Sequence, residues 1–423
     1  MSQIVTFIGK SVQKIAKLRG GGSALPGLVV EKISPHFLSD TLSQLPHGVV
    51  IISGTNGKTT TTKMVVELLE GQGLRVFTNR TGSNFTRGVV AALLEAVDAK
   101  GNLHADIAVL ELDEAYAVRF AQQVAPHYCL LLNVLRDQLD RFGEIDHTAD
   151  LLHQLAEKTT EGIVINRDDP RLSAQSFTTT LHTPIATYGV DKPLLTLFPS
   201  DDMLHGGNQK TSELRHDDCE LKEITPTGAL VSFGGNTYPL HLNLKGFYNI
   251  QNAVGAIALT RLIMKQSLNI GKMIDTLSHV QPAFGRGETI TVDGQPCELV
   301  LVKNPSGFRL GLQSFSAKGN AIMIAINDNY ADGRDMSWLW DVDFASLQEV
   351  GVSTVTGIRA YDMALRLQYD EIPFSIVETN LKQALAAFIK KHPDEPKRIY
   401  CTYTAMLALR RELGRYSKGV PTI

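Results

Sequence analysis

Apolar residues in this chain gather in short unbroken runs. Val49–Ile52, Ile107–Leu112, Tyr128–Leu132 and Gly162–Ile165 show no polar alternation. A strand that is apolar on both faces belongs in a parallel sheet covered by helices. Between the runs, Thr60–Leu69 and Gly88–Val97 carry apolar residues at helical spacing, and Arg75–Thr78 reads as a further short strand. Strands alternating with helices predict an open parallel α/β sheet. From about 185 to 245 turn residues multiply, and Val231–Phe233 and Tyr238–Leu242 read as antiparallel strands of a small β-rich part. A strong helix, Ala253–Met264, follows. Beyond about 290 the runs Leu299–Val302, Ala321–Ile326, Val352–Thr356 and Ile399–Thr402 alternate again with helical patterns, predicting a second α/β domain. Ile4, Phe7, Ile8, Val12 and Ile15 recur at helical spacing among Lys10, Lys14, Lys17 and Arg19. This predicts an N-terminal helix packed on the body, with membrane-surface contact as the alternative. Residues 1–45 form a helical segment in this scheme, 46–288 a central domain and 289–423 a C-terminal domain.

The sharpest chemistry follows the first run. Strand Val49–Ile52 leads into Ser53-Gly54-Thr55-Asn56-Gly57-Lys58-Thr59-Thr60 and then a helix. Backbone N–H groups at a glycine turn and a helix N-terminus cradle phosphate, a lysine adds a point charge, and a threonine hydroxyl reaches Mg²⁺. The general Walker pattern has a glycine where Ile52 stands, so the fit is to the shorter Gly-Thr-Asn-Gly-Lys-Thr-Thr form. Ligands of open α/β sheets bind at the carboxyl ends of strands. Glu111, ending Ile107–Leu112, is therefore placed to hold a phosphate-bridging Mg²⁺. The loop Asn166-Arg167-Asp168-Asp169-Pro170 suits ribose or adenine recognition, or else a capped helix start with proline in its first turn. Asn249 and Asn252 share a face near a helix start and either bond a base or cap the helix.

Composition narrows the class. A chain of 423 residues with 43% hydrophobic and 20% charged content is an ordinary globular protein of two or three domains. A net charge of −3 gives no reason to expect nucleic acid. Cys129, Cys219, Cys297 and Cys401 lie far apart, which predicts free thiols in a reducing cytosol. His205, His216 and Cys219 match no standard zinc spacing and read as loop residues. No apolar run reaches membrane-span length and no signal peptide is expected. In the C-terminal part, Asn327-Asp328-Asn329-Tyr330-Ala331-Asp332-Gly333-Arg334-Asp335-Met336-Ser337-Trp338-Leu339-Trp340-Asp341 follows a strand and gathers carboxylates with both tryptophans. A functional loop with buried aromatics is the expectation.

Together Gly54–Thr60, Glu111, Asn133 and Asp137, the Asn166–Pro170 loop, Asn249 and Asn252, and Arg286 resemble the Mur ligases in order. These ATP-dependent carbon–nitrogen ligases activate a carboxylate as an acyl phosphate. Leu25-Pro26-Gly27, the stretch Arg136–Glu144 and the Asp328–Trp338 stretch are similar to the MurT-type subunits of lipid II isoglutaminyl synthases. The resemblance implies a Mur-ligase-like central P-loop ATPase domain and a Rossmann-like C-terminal domain. It implies ATP and Mg²⁺ as cofactors, lipid II as substrate, and a GatD-like glutaminase partner that supplies ammonia. On this reading Gly54, Thr55, Asn56, Gly57, Lys58, Thr59 and Thr60 bind phosphate, with Thr59 and Glu111 on Mg²⁺. Asn166, Asp168, Asn249, Asn252 and Arg286 serve the nucleoside. Asp335 matches the aspartate lent to the partner's Cys–His pair, with Asp328 and Asp332 as alternatives.

The family pattern is not complete. Gln138 stands where amino-acid-adding relatives have a histidine, and His153 falls near the place of their carbamylated lysine. A second metal is thus left open. Only Cys219 lies where many relatives carry a four-cysteine zinc ribbon, so no zinc is expected. Two rivals remain: an amino-acid-adding or folylpolyglutamate-type ligase, against which Gln138 and the Asp335 stretch argue, and an inactive ATP-binding scaffold, against which Lys58, Thr59 and Glu111 argue.

Overall fold

The computed structural model describes residues 3–18, 24–79, 85–136, 145–204, 218–244, 246–281 and 288–416. The chain divides into two compact units. The first comprises Met1–Val134, Asp146–Asn243 and Tyr248–Val280, the second Leu135–Ile145, Leu244–Phe247 and Gln281–Ile423.

The first unit opens with α1 (Gln3–Leu18), α2 (Ala24–Ile33) and α3 (Phe37–Leu42). Val5 and Thr6 of α1 are buried and Lys10 Nζ donates to the Val97 carbonyl at 2.5 Å, so the helix does pack on the body. Phe7 departs from the expected apolar stripe and is 74% exposed. Next come β1 (Val49–Ser53), α4 (Lys58–Gly71), β2 (Val76–Thr78), α5 (Thr86–Ala96), β3 (Ile107–Glu111), α6 (Glu114–Ala121), β4 (Tyr128–Leu131), α7 (Ile145–Glu157) and β5 (Gly162–Asn166). After the short α8 (Gln175–Thr178), β6 (Ile185–Val190) and α9 (Asp201–Leu204), three strands follow: β7 (Cys219–Thr225), β8 (Gly228–Phe233) and β9 (Asn236–His241). Helices α10 (Phe247–Met264) and α11 (Ile270–His279) complete the set.

These strands form one sheet of nine in the order β2-β3-β1-β4-β5-β6-β7-β8-β9. Pairing is parallel from β2 to β7 and antiparallel from β7 to β9. The β-rich part is therefore a continuation of the central sheet. Every residue of β1, β3, β4 and β5 is buried, as their unbroken apolar runs require. No helix among the described residues is long and apolar enough to cross a membrane.

The second unit holds β10 (Glu288–Val292), β11 (Gln295–Leu301), α12 (Pro305–Ser314), β12 (Ala321–Ala325), β13 (Val352–Thr356), α13 (Ala360–Tyr369), β14 (Phe374–Glu378), α14 (Leu381–Lys391), β15 (Lys397–Cys401) and α15 (Tyr403–Leu413). Its six strands run in the order β10-β11-β15-β12-β13-β14, parallel except for the β10–β11 hairpin. Phe388, Met406 and Leu409 cover one face of this sheet. Phe308 meets Phe344 edge-on, with centroids 5.0 Å apart, and also packs on Tyr400.

Candidate active site

Strand order in the sheet puts the end of β1, with the start of α4 after it, beside the ends of β3 and β4. The turn after β1 needs its glycines. Gly54 has φ +129 and Gly57 has φ +90, where a side chain is strained. A Cβ on Gly57 would also stand 2.6 Å from Asn252 Oδ1. Helix α10 therefore presses Asn252 against the turn, while Asn249 is buried one turn earlier on the same helix. Asn133, just past β4, holds the turn from the other side. Its Oδ1 accepts from Asn56 N–H at 2.8 Å, its Nδ2 donates to the Asn56 carbonyl at 3.1 Å, and its own carbonyl accepts from Thr55 N–H at 3.0 Å.

Lys58 is buried as the first residue of α4. Its Nζ donates to the Gly54 and Thr55 carbonyls at 2.7 and 3.3 Å and pairs with Asp113 at 3.1 Å and Glu114 at 3.9 Å. Thr59 Oγ1 donates to Glu111 Oε1 at 2.7 Å. Glu111 is fixed in turn by Asn79, the residue after β2, whose amide bonds both the N–H and the carbonyl of Glu111. The site thus offers a cradle of backbone N–H groups, one cation and two hard oxygen donors. That donor set fits an anionic phosphate chain with a small divalent cation, which takes one or two protein oxygens and completes its shell from phosphate and water. Among the described residues no group of three or more His, Cys, Asp and Glu side chains forms a metal cage.

The loop after β5 is more internally committed than its sequence suggests. Asn166 Oδ1 accepts from Asp168 N–H at 3.1 Å, and Asp168 Oδ2 accepts from Val190 N–H at 2.7 Å. Asp169 Oδ1 accepts from Arg171 and Leu172 N–H, which closes a turn and caps no helix, since α8 starts only at Gln175, and its Oδ2 accepts from Val134 N–H at 2.7 Å. Burial pushes both carboxyls up, Asp168 and Asp169 each to about 6. Arg167, buried beside them, bonds Asp218 Oδ2 at 3.0 Å and Glu220 Oε1 at 2.5 Å. Neither this cluster nor the roles of Asn79, Asp113 and Asn133 is readable from spacing, because each depends on which strands become neighbours.

Other predicted residues lie elsewhere. His153 bonds Thr180 Oγ1 at 2.7 Å and stands edge-on to Phe177, on the side of α7 that faces α8. Cys219 receives a hydrogen bond from Arg261 Nη1 at 3.3 Å. All four thiols are buried. Burial pushes Cys129 and Cys297 up to about 12 and Cys219 to about 11, and it raises Cys401 as well. Asp137, Gln138, His205, His216 and Arg286 fall outside the described residues.

In the second unit, the loop after β12 distinguishes its three aspartates. Asp328 pairs with Arg359 at 2.7 Å. Asp332 is 1% exposed; its Oδ1 accepts from Thr404 N–H at 2.7 Å and its Oδ2 from Thr404 Oγ1 at 2.5 Å, capping α15. Asp335 is exposed, with Oδ1 accepting from Ser337 N–H at 2.9 Å. The expectation of buried aromatics holds only in part: Trp338 is half-buried against Phe308, with centroids 6.4 Å apart, and Trp340 departs from it. Trp340 is 48% exposed and meets Tyr369 with centroids 5.4 Å apart, and Tyr361, Leu365 and Tyr369 of α13 are 69, 58 and 75% exposed.

Comparison with known proteins matches residues 52–260 to the Mur ligase middle domain and residues 301–406 to the MurT ligase C-terminal family. The lipid II isoglutaminyl synthase (glutamine-hydrolyzing) subunit MurT of Streptococcus pneumoniae is 31% identical over 96% of this chain and 95% of that protein. A pseudomurein peptide ligase type C from Methanothermus fervidus has a similar fold, with TM-score 0.66 and 17% identity, covering 89% of this chain and 80% of that one. Folylpolyglutamate synthase of Mycobacterium tuberculosis, solved with ADP and AMPPCP, gives TM-score 0.61 at 17% identity over 99% of this chain and 100% of that one.

Proposed function

The chain belongs to the Mur ligase family, in its MurT branch, and from that premise we propose that it is the ATP-using subunit of a lipid II isoglutaminyl synthase. It is a carbon–nitrogen ligase of peptidoglycan synthesis, working in the cytoplasm. The observation that carries the reading is the Lys58, Thr59 and Glu111 arrangement at the strand ends of the first unit.

The α-carboxylate of the stem-peptide D-glutamate takes the γ-phosphoryl group of ATP, and ADP leaves. Ammonia then attacks the acyl carbon, phosphate departs with the C–O bond, and D-isoglutamine remains. Lys58 holds the β- and γ-phosphates, while Thr59 and Glu111 would hold Mg²⁺, which would supply charge neutralisation. The Gly54–Gly57 turn and the α4 N-terminus stabilise the same charge with fixed dipoles. Asn249 and Asn252 serve the adenine, Asn252 already lying against the turn. The reading requires no zinc.

Ammonia comes from a GatD-like glutaminase subunit. Three facts support a second chain: the pneumococcal relative is named a subunit of a glutamine-hydrolyzing enzyme, every thiol here is buried, and Asp335 points to solvent while Asp328 and Asp332 are engaged internally. Asp335 then orients the partner's imidazole and stabilises its charged form.

The test is the purified chain with ATP, lipid II and ammonium salt, repeated with glutamine and the partner subunit. Amide formation from ammonium by this chain, and from glutamine only with the partner, is expected. Incorporation of an amino acid in place of ammonia would make it an amino-acid-adding ligase. No ATP turnover in either arm would make it a scaffold.

A further inference from the structure

Two asparagines of the first unit make the same unusual contact. Asn79 donates from Nδ2 to the Glu111 carbonyl at 2.8 Å and accepts at Oδ1 from Glu111 N–H at 3.0 Å. Asn133 accepts at Oδ1 from Asn56 N–H at 2.8 Å and donates from Nδ2 to the Asn56 carbonyl at 3.1 Å. Each carboxamide closes on both backbone groups of a single residue. A carboxamide can do this because it carries a donor and an acceptor in one plane; aspartate only accepts and alanine does neither.

Their placement follows the strand order. Asn79 comes from the end of β2 and grips the last residue of its neighbour β3. Asn133 comes from the end of β4 and grips the turn after its neighbour β1. Asn79 is 5% exposed, and the Asn133 backbone approaches Gly54 so closely that a Cβ there would stand 3.0 Å from its N and O. One clamp therefore fixes the backbone of Glu111, the residue whose carboxylate meets Thr59. The other fixes the loop whose N–H groups face phosphate.

We propose that Asn79 and Asn133 are positioning residues with separable tasks, resting on the nucleotide reading above. Asn133 sets the phosphate loop and so governs nucleotide affinity with or without a divalent cation. Asn79 sets Glu111 and so governs only the part of the affinity that the cation adds. Outer partners of metal-binding carboxylates are commonly worth about 10- to 100-fold in metal affinity.

The experiment measures ADP binding by calorimetry to the full chain and to Asn79→Ala and Asn133→Ala, each in Mg²⁺ and in EDTA. Thermal melts without nucleotide check folding, and Asn79→Ser and Asn133→Ser replace any alanine variant that does not fold. Asn133→Ala should weaken ADP by about tenfold in both buffers, the size of losing the hydrogen-bond pair that holds the Asn56 backbone in place. Asn79→Ala should match wild type in EDTA, lose the gain that Mg²⁺ gives, and need at least about tenfold more Mg²⁺ for half-saturation. Equal losses in both buffers for both variants, or no loss for either, would overturn the separation of tasks while leaving nucleotide binding intact. A wild-type chain that binds no ADP in either buffer would overturn the nucleotide reading and this inference together.

Discussion

On the proposed reading, two side chains would separate the half-reactions. Lys58 lies on carbonyls of its own loop and on Asp113, a preorganised cation at the turn proposed to take phosphate. Removing such a charge from a transferring phosphoryl group costs several kcal/mol of barrier, on the order of a hundredfold or more in rate. Lys58→Ala should therefore lose amidation with either glutamine or ammonium, read as ADP release. Near-normal turnover at saturating ATP would show that Lys58 does not bind phosphate. Asp335, exposed in the other unit, should behave differently. Asp335→Asn keeps the shape but loses the charge, which in a known catalytic triad costs about 10⁴-fold in turnover. Glutamine-dependent amidation should collapse while the ammonium-dependent rate stays close to wild type. Parallel loss of both rates would assign Asp335 to the ligase step or to folding.

At the scale of elements, helix α13 makes the strongest statement. Its N-terminal end is tied to the Asp335 loop by the Arg359–Asp328 pair, and its outer face carries Tyr361, Leu365 and Tyr369 at four-residue spacing. A solvent-facing row of aromatic and aliphatic side chains beside Trp340 has the composition of an interface core. The double variant Tyr361→Ser, Tyr369→Ser should weaken assembly with the proposed glutaminase subunit, measured by analytical ultracentrifugation, and leave the ammonium-dependent rate unchanged. Unaltered assembly would remove this helix from the interface. Among the strands, β1, β3, β4, β5 and β12 were legible because their apolar runs are unbroken and fully buried. Strands β7 and β14 were not. Cys219–Thr225 mixes charge with aliphatics and Phe374–Glu378 stays half-exposed, so neither shows a clean period.

For the whole molecule, the two sheets give two separate cores, and on the proposed reading nucleotide would act on the first. A ligand of the native state at a hundredfold over its Kd adds about 2.7 kcal/mol of stability. ADP with Mg²⁺ should raise the melting temperature of wild type, and Lys58→Ala should show no shift at the same ADP concentration. A shift retained in the variant would locate the nucleotide elsewhere. The same scale explains what the sequence could and could not tell about the site. Gly54–Thr60 and Glu111 were legible because a local turn and a strand end define them. Asn79 and Asp113 were not, since their partners lie 32 and 55 positions away in chain and meet them only through the strand order.

The buried thiols have a practical consequence. Cys129 on β4 and Cys219 on β7 belong to one sheet, and Cys297 on β11 and Cys401 on β15 to the other. An alkylating reagent reacts with thiolate, and burial withholds both the sulfur and its charge. Each sheet thus carries a matched pair of silent clocks that start only when that sheet opens. Mass spectrometry after a timed alkylation pulse would read the lifetime of each core separately in one unmodified chain.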